Sequence, residues 1–206
     1  KPTVVFVTED AGPPEVLQQI ASAGVKVVRL TNEHTAAAAA ERIRQIGREV
    51  NKTEEADKLA GALEADVLRA DSLAAGMGAR PRVLFIYARG GGVMNVSGTG
   101  TSADAIIAMA GGVNAVQEYA NYKPLTAEGA VAAAPDFILV TTRGLESSGG
   151  VEGLLRQPGL ALTPAGKAGR VIAMDDLYLL GFGPRLGQAA GELCIQLHPT
   201  PRTVQQ

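Results

Sequence analysis

Tryptophan is absent from this chain of 206 residues, and aromatic residues make up only 4% of it. A core so poor in large rings has to be built from Leu, Val, Ile and Ala. The hydrophobic share of 46%, against 19% charged, supplies them and marks a globular chain, not a disordered one. Cysteine is nearly missing too. Cys194 stands alone, so no intramolecular disulfide is available. With Leu193, Ile195 and Leu197 around it, the thiol reads as a packed side chain of a helix near the C-terminus. Histidine occurs twice, as His34 in a linker and His198 near the tail, and both read as surface residues. No Cys/His cluster has zinc spacing. The net charge is only −2, so there is no basic surface for nucleic acid. No apolar run reaches membrane-spanning length and no leader peptide is present, so membrane insertion is not expected. A secreted protein in mature form has the same features.

The apolar pattern begins at once. Residues 3–8 read as a buried strand rich in Val. Pro13 and Pro14 suit the first turn of a helix, in which Val16, Leu17, Ile20 and Ala21 recur at helical spacing until Gly24 stops it. Val25, Val27, Val28 and Leu30 give a second strand. Strand–helix–strand implies a parallel layer. Residues 35–78 are then helical, divided by Gly47 and the cluster Asn51-Lys52-Thr53. The second part, from about 53 to 77, starts with Thr53 as a candidate N-cap and carries Glu54 and Glu55 in its first turn. Its apolar stripe is Ala56, Leu59, Ala60, Leu63, Val67 and Leu68. Roughly 25 residues at ~1.5 Å rise make a rod of about 40 Å, long enough to bridge two lobes.

After Pro81 strands and helices alternate again. Strands are predicted at Val83–Tyr87, Phe137–Thr141 and Val171–Met174. Helices are predicted at Ser102–Ala110, Thr126–Ala133, from Gly153, and over 185–197. Such a layer binds ligands beyond the carboxyl ends of its strands. The loop 88–101 leaves the first of these ends and is the most informative segment. It ends without Gly-Lys-Ser/Thr, and no G-x-G-x-x-G opens the helix, so a phosphate loop is excluded. Its glycines permit close backbone approach, Arg89 offers a fixed cation and Met94 a soft apolar surface, which suits a ligand-contact loop, the alternative being a plain connector. Arg143 leaves the second strand end. Two cations facing one cleft suit a ligand with carboxylates, unless Arg143 pairs with Glu146 or another local acid. The third end carries Asp175-Asp176, either a carboxylate pair for a metal or a capped turn. Tyr178 and Phe182 follow it, lining an apolar pocket or packing the last helix. No G-x-S-x-G elbow is present, which argues against hydrolysis.

Several of these segments, in this order, resemble the haem-binding periplasmic proteins of bacterial ATP-driven (ABC) haem importers, the class III solute-binding proteins. They are E-D-A-G-P-P-E-V-L at 9–17, G-G-G-V-M-N-V-S-G-T-G-T at 90–101, Y-K-P-L-T at 122–126, A-A-A-P-D-F-I-L at 132–139, T-T-R-G-L-E-S at 141–147, L-T-P-A-G-K at 162–167 and L-Y-L-L-G-F-G-P-R at 177–185. The resemblance implies an α/β fold of two Rossmann-like lobes joined by a long bridging helix, the first lobe incomplete here. Residues 1–34 would be a remnant of the N-terminal lobe, 35–80 the helical linker, 81–183 the C-terminal lobe and 184–206 the closing helix and tail.

It further implies a monomer, exported to the periplasm, that carries haem in the cleft between the lobes. Arg89, Gly91, Met94, Asn95, Arg143, Tyr178 and Phe182 would form the C-lobe wall. Glu146 and Glu152 would dock to arginines of the membrane permease. The family's iron-ligating tyrosine is expected upstream of the first strand. Tyr87, Tyr119, Tyr122 and Tyr178 do not match it, so no metal ligand is expected in this chain. Two alternatives stay open: a ferric siderophore or corrinoid as ligand, and an α/β enzyme of unknown substrate.

Overall fold

A computed structural model describes residues 2–88 and 94–199. The first strand–helix–strand unit is as the pattern predicts. β1 (Val4–Thr8) and β2 (Lys26–Leu30) pair in parallel, joined by α1 (Pro14–Ser22), and Gly24 turns the chain at a φ of 80°. β1 is not the buried strand expected, however. Four of its residues are only half-buried and Thr8 is exposed, because no described element covers a second face of this two-stranded sheet.

α2 (Ala36–Glu49) and α3 (Thr53–Ala75) follow. Gly47 does not divide the helical stretch. It lies inside α2, where a Cβ would sit 2.2 Å from the Cβ of Ala56, so its missing side chain is what lets the two helices touch. The break comes at Asn51, whose φ is 56°. Thr53 is the first helical residue and not the cap; Lys52 holds that place without a side-chain hydrogen bond. α3 runs unbroken for 23 residues, about 34 Å at ~1.5 Å rise. Its buried face is Ala56, Ala60, Leu63, Val67 and Ala70, whereas Leu59 and Leu68 of the expected stripe are exposed.

The second lobe holds one mixed sheet in the order β6-β4-β3-β7-β8. β3 (Arg82–Ala88), β7 (Phe137–Thr141) and β8 (Val171–Met174) are parallel neighbours, and the short β5 (Val113–Asn114) pairs with the start of β3. β4 (Met94–Ser97) and β6 (Tyr122–Pro124) are antiparallel additions. Strand β4 corrects the expectation of a plain loop from 88 to 101. Met94 and Val96 face the core while Asn95 is half-buried, an alternation with period two that lets the segment fold back on β3.

The core lies on both faces of this sheet. On one, Val83, Phe85, Leu139 and Met174 pack against α3, α4 (Ser102–Met109), α9 (Asp176–Leu180) and α10 (Leu186–Leu197). On the other, Leu84, Ile86, Ile138 and Val140 pack against α5 (Ala127–Ala133), α7 (Gly150–Leu155) and α8 (Pro164–Ala168). α6 (Thr142–Ser147) leaves β7 directly. α10 closes back on α3 at Gly187, where a Cβ would stand 2.3 Å from the Asp66–Val67 backbone.

One side chain ties the first unit to the second lobe. The Arg42 guanidinium donates to the carbonyls of Thr31 (3.1 Å) and Glu33 (2.9 Å) beyond β2, and to that of Phe182 (3.0 Å) before α10. Among the described residues no helix is long and apolar enough to cross a membrane.

Candidate functional site

Register aligns the carboxyl ends of three parallel strands. Ile86 stands beside Val140, and Thr141 beside Met174. Tyr87, one residue before the end of β3, therefore stands level with Thr141. Arg143 and Asp176 each lie two residues past a paired position, on adjacent exits. Together with Ala88 and Ser147 they line a cleft of about 330 Å³. This is the carboxyl-end crevice in which layers of this kind take their ligands.

The side chains around it are held differently. The Tyr87 ring lies between Phe85 (centroids 6.5 Å) and Tyr122 (5.8 Å), which fixes its plane. Thr141 Oγ1 accepts from the Gly144 N–H at 3.1 Å and caps α6, and Ser147 Oγ donates to the Gly144 carbonyl. Arg143 is exposed and makes no ion pair among the described residues, so the expected alternative of a local Arg143–Glu146 pair is not present. Asp175 is a turn cap, its Oδ1 accepting from the Tyr178 N–H at 2.9 Å. Asp176 is not: its Oδ1 is buried with no hydrogen-bond partner.

The other residues singled out by sequence are dispersed. Arg89 and Gly91 lie outside the described residues. Asn95 is half-buried on β4 and pairs with Tyr87. Met94 is packed in the core on the α5 side. Tyr178 lines a separate crevice with Pro184 and Arg185, whose guanidinium carbon sits 4.9 Å from the ring centre. Burial raises the Tyr178 phenol above its ordinary value, helped by Glu192. Phe182 is buried, its ring 5.3 Å from that of His34. Glu146 and Glu152 are exposed on α6 and α7.

Gly98 and Gly100 have local structural roles. At Gly98 a Cβ would lie 2.1 Å from the Tyr119 carbonyl oxygen, and Gly100 turns at a φ of 76°. His198 is not a free surface residue: its two ring nitrogens lie 2.9 Å and 2.8 Å from the carbonyls of Cys194 and Ala79.

Tyr87 is the residue that sequence reasoning set aside. The available signal was its place as the last residue of a predicted parallel strand, two ahead of an arginine.

The pattern of the periplasmic binding protein family matches residues 1–178. The chain belongs to that family. No curated protein matches this periplasmic binding protein, but solved structures do. RhuT of Roseiflexus sp. RS-1, a periplasmic heme-binding protein in apo form, is 45% identical with a TM-score of 0.90; the match covers 95% of this chain and 75% of RhuT. BhuT, a periplasmic heme-binding protein solved with two hemes, is 38% identical at a TM-score of 0.89, over 95% of this chain and 75% of its own. The heme-binding protein HmuT is 31% identical at 0.87, over 97% and 66%. HmuT was also solved with an arginine, a tyrosine and a histidine each replaced by alanine, the tyrosine standing two residues before the arginine.

Proposed function

We propose that this periplasmic binding protein captures haem, holding it at the cleft edged by Tyr87 and Arg143, and hands it to the permease of an ABC importer. The observation that carries the reading is the convergence of a phenol and an unpaired guanidinium on one strand-end crevice, in a chain up to 45% identical to heme-binding proteins. Haem is flat, apolar over most of its area and acidic at one edge. A phenolate oxygen is an established ligand for haem iron, and a guanidinium pairs with a propionate through two parallel hydrogen bonds.

Tyr87-Ala88-Arg89 is the one place in the sequence where a tyrosine stands two residues before an arginine, the spacing of the pair substituted in HmuT. Tyr87 does not match the family tyrosine expected upstream of β1, but this spacing makes it the candidate we put forward to meet the iron. Arg89, Gly91 and Asn95 flank it in sequence and are the further residues we propose to contact the ligand. Shape and charge pairing suffice for capture, and no chemistry is done on the ligand. The protein works in the periplasm as a monomer, and Glu146 and Glu152 on α6 and α7 present carboxylates to the permease.

The test is a visible titration with haemin of the wild type and of Tyr87→Phe. A shifted Soret band is expected for the wild type. Tyr87→Phe should alter that spectrum and weaken binding roughly tenfold or more, which is ~1.4 kcal/mol. A wild type that leaves the haemin spectrum unchanged, yet quenches with a ferric siderophore or a corrinoid, would overturn the choice of ligand.

A further inference from the structure

We infer that Asp176 is a positioning residue for the ligand's carboxylate: as the ligand enters, it takes one edge of the Arg143 guanidinium so that the other edge faces the acid. The inference rests on the haem reading above and goes beyond it by naming the group that selects acids over their esters.

The starting observation is an acceptor without a donor. Asp176 Oδ1 is sealed from solvent and unpartnered. A buried polar atom in that state carries its full desolvation cost, more so on a charged group, and is kept where something arrives to satisfy it. Among the described residues the cleft offers few side-chain donors. The hydroxyl of Ser147 is committed to the Gly144 carbonyl, and Thr141 Oγ1, which accepts from the Gly144 N–H, is left with its own O–H alone. Arg143 lines the same cleft, and the pairing of Thr141 with Met174 puts its exit beside that of Asp176.

A propionate at neutral pH only accepts hydrogen bonds, so haem's acidic edge cannot serve Asp176 and would be repelled by it. A guanidinium between them resolves both problems. Its planar fork has two usable edges and five N–H donors, enough for a carboxylate on each side. Arg143 is exposed, and its long side chain has many rotamers. Once one edge is set on Asp176, the plane of the guanidinium is fixed and its other edge meets the acid through two parallel hydrogen bonds. A ligand lacking carboxylates draws nothing from this arrangement.

The experiment compares haemin with haemin dimethyl ester on wild type, Asp176→Asn, Arg143→Gln and the double variant, each checked for an unchanged unfolding midpoint. Asp176→Asn should weaken haemin about tenfold and the ester less than twofold, and should add almost nothing once Arg143→Gln is present. Equal losses for the two ligands, as a purely structural role or a contact with Tyr87 would give, overturn the inference. So do additive losses. Arg143→Gln changes an exposed side chain and gives a second reading: its ratio of haemin to ester affinity should fall to that of Asp176→Asn, and an unchanged ratio also overturns the inference. Absence of haemin binding by the wild type overturns the haem reading, and this inference with it, whereas wild-type binding with either contrary pattern overturns the role of Asp176 alone.

Discussion

The two strand-containing regions of the molecule obey the same rule with different success. β1 and β2 are parallel, as are β3, β7 and β8, and a parallel sheet is at its most stable with both faces covered. In the second lobe both faces are covered: all five residues of β7 are buried, and a hydrophobic cluster lies on each side. In the first unit, β1 is half-buried and α1 buries none of its residues. A two-stranded sheet is marginal on its own, so this unit depends on its attachments: Arg42 from α2, and an ion pair from Lys26 on β2 to Glu49. RhuT and BhuT are longer, with this chain spanning 75% of each. The lesson is that the cleft edged by Tyr87 and Arg143 sits on the region whose sheet is covered on both faces.

Truncating one ring in each region tests that contrast most strongly. Phe85→Ala, in the fully buried centre of β3, should cost about 3–5 kcal/mol in denaturant unfolding. Phe6→Ala, half-buried on β1, should cost less than half of that. Equal costs would mean that β1 is buried by something these contacts do not include.

The helix seam below the second lobe comes next. Gly187→Ala forces a methyl group into the α3 backbone, and overpacking of this kind costs ~1–3 kcal/mol. The same change at Gly61, which has open space around it, should be neutral or slightly stabilising. A Gly187→Ala variant as stable as the wild type would show that α10 slides freely on α3.

His34 gives the smallest effect and reports on the junction between the regions. Burial lowers its affinity for a proton, and Arg42 lowers it further, so the folded value lies below the ordinary 6.5. The unfolded chain therefore takes up the proton first. Stability from this group is present above pH 6.5 and is lost as the pH falls below that value towards the folded one. His34→Gln should flatten that part of the stability profile. A profile with the same slope in both proteins would place the pH dependence elsewhere.

Much of this was legible in the sequence because it depends on local patterns. Apolar periodicity marked β3, β7, β8 and α3, and Thr126 caps its helix as a threonine before such a run does. What escaped depends on partners distant in the chain. Strand β4 has only four residues and is recognisable through its pairing with β3. Gly47 reads as a helix breaker until Ala56 is seen against it. The site was half legible. Arg143 followed from its strand end, but Tyr178 and Phe182 turn to other crevices, and the isolation of Asp176 Oδ1 is a fact of packing alone.

The chain's four tyrosines make the decisive observation simple. In protein carrying ring-labelled tyrosine, one equivalent of ferric haemin should broaden the Tyr87 resonance most, through its paramagnetic iron. Tyr119, which lines a pocket on the opposite side of β4, should stay sharp. Loss of the Tyr119 signal with Tyr87 untouched would contradict the account.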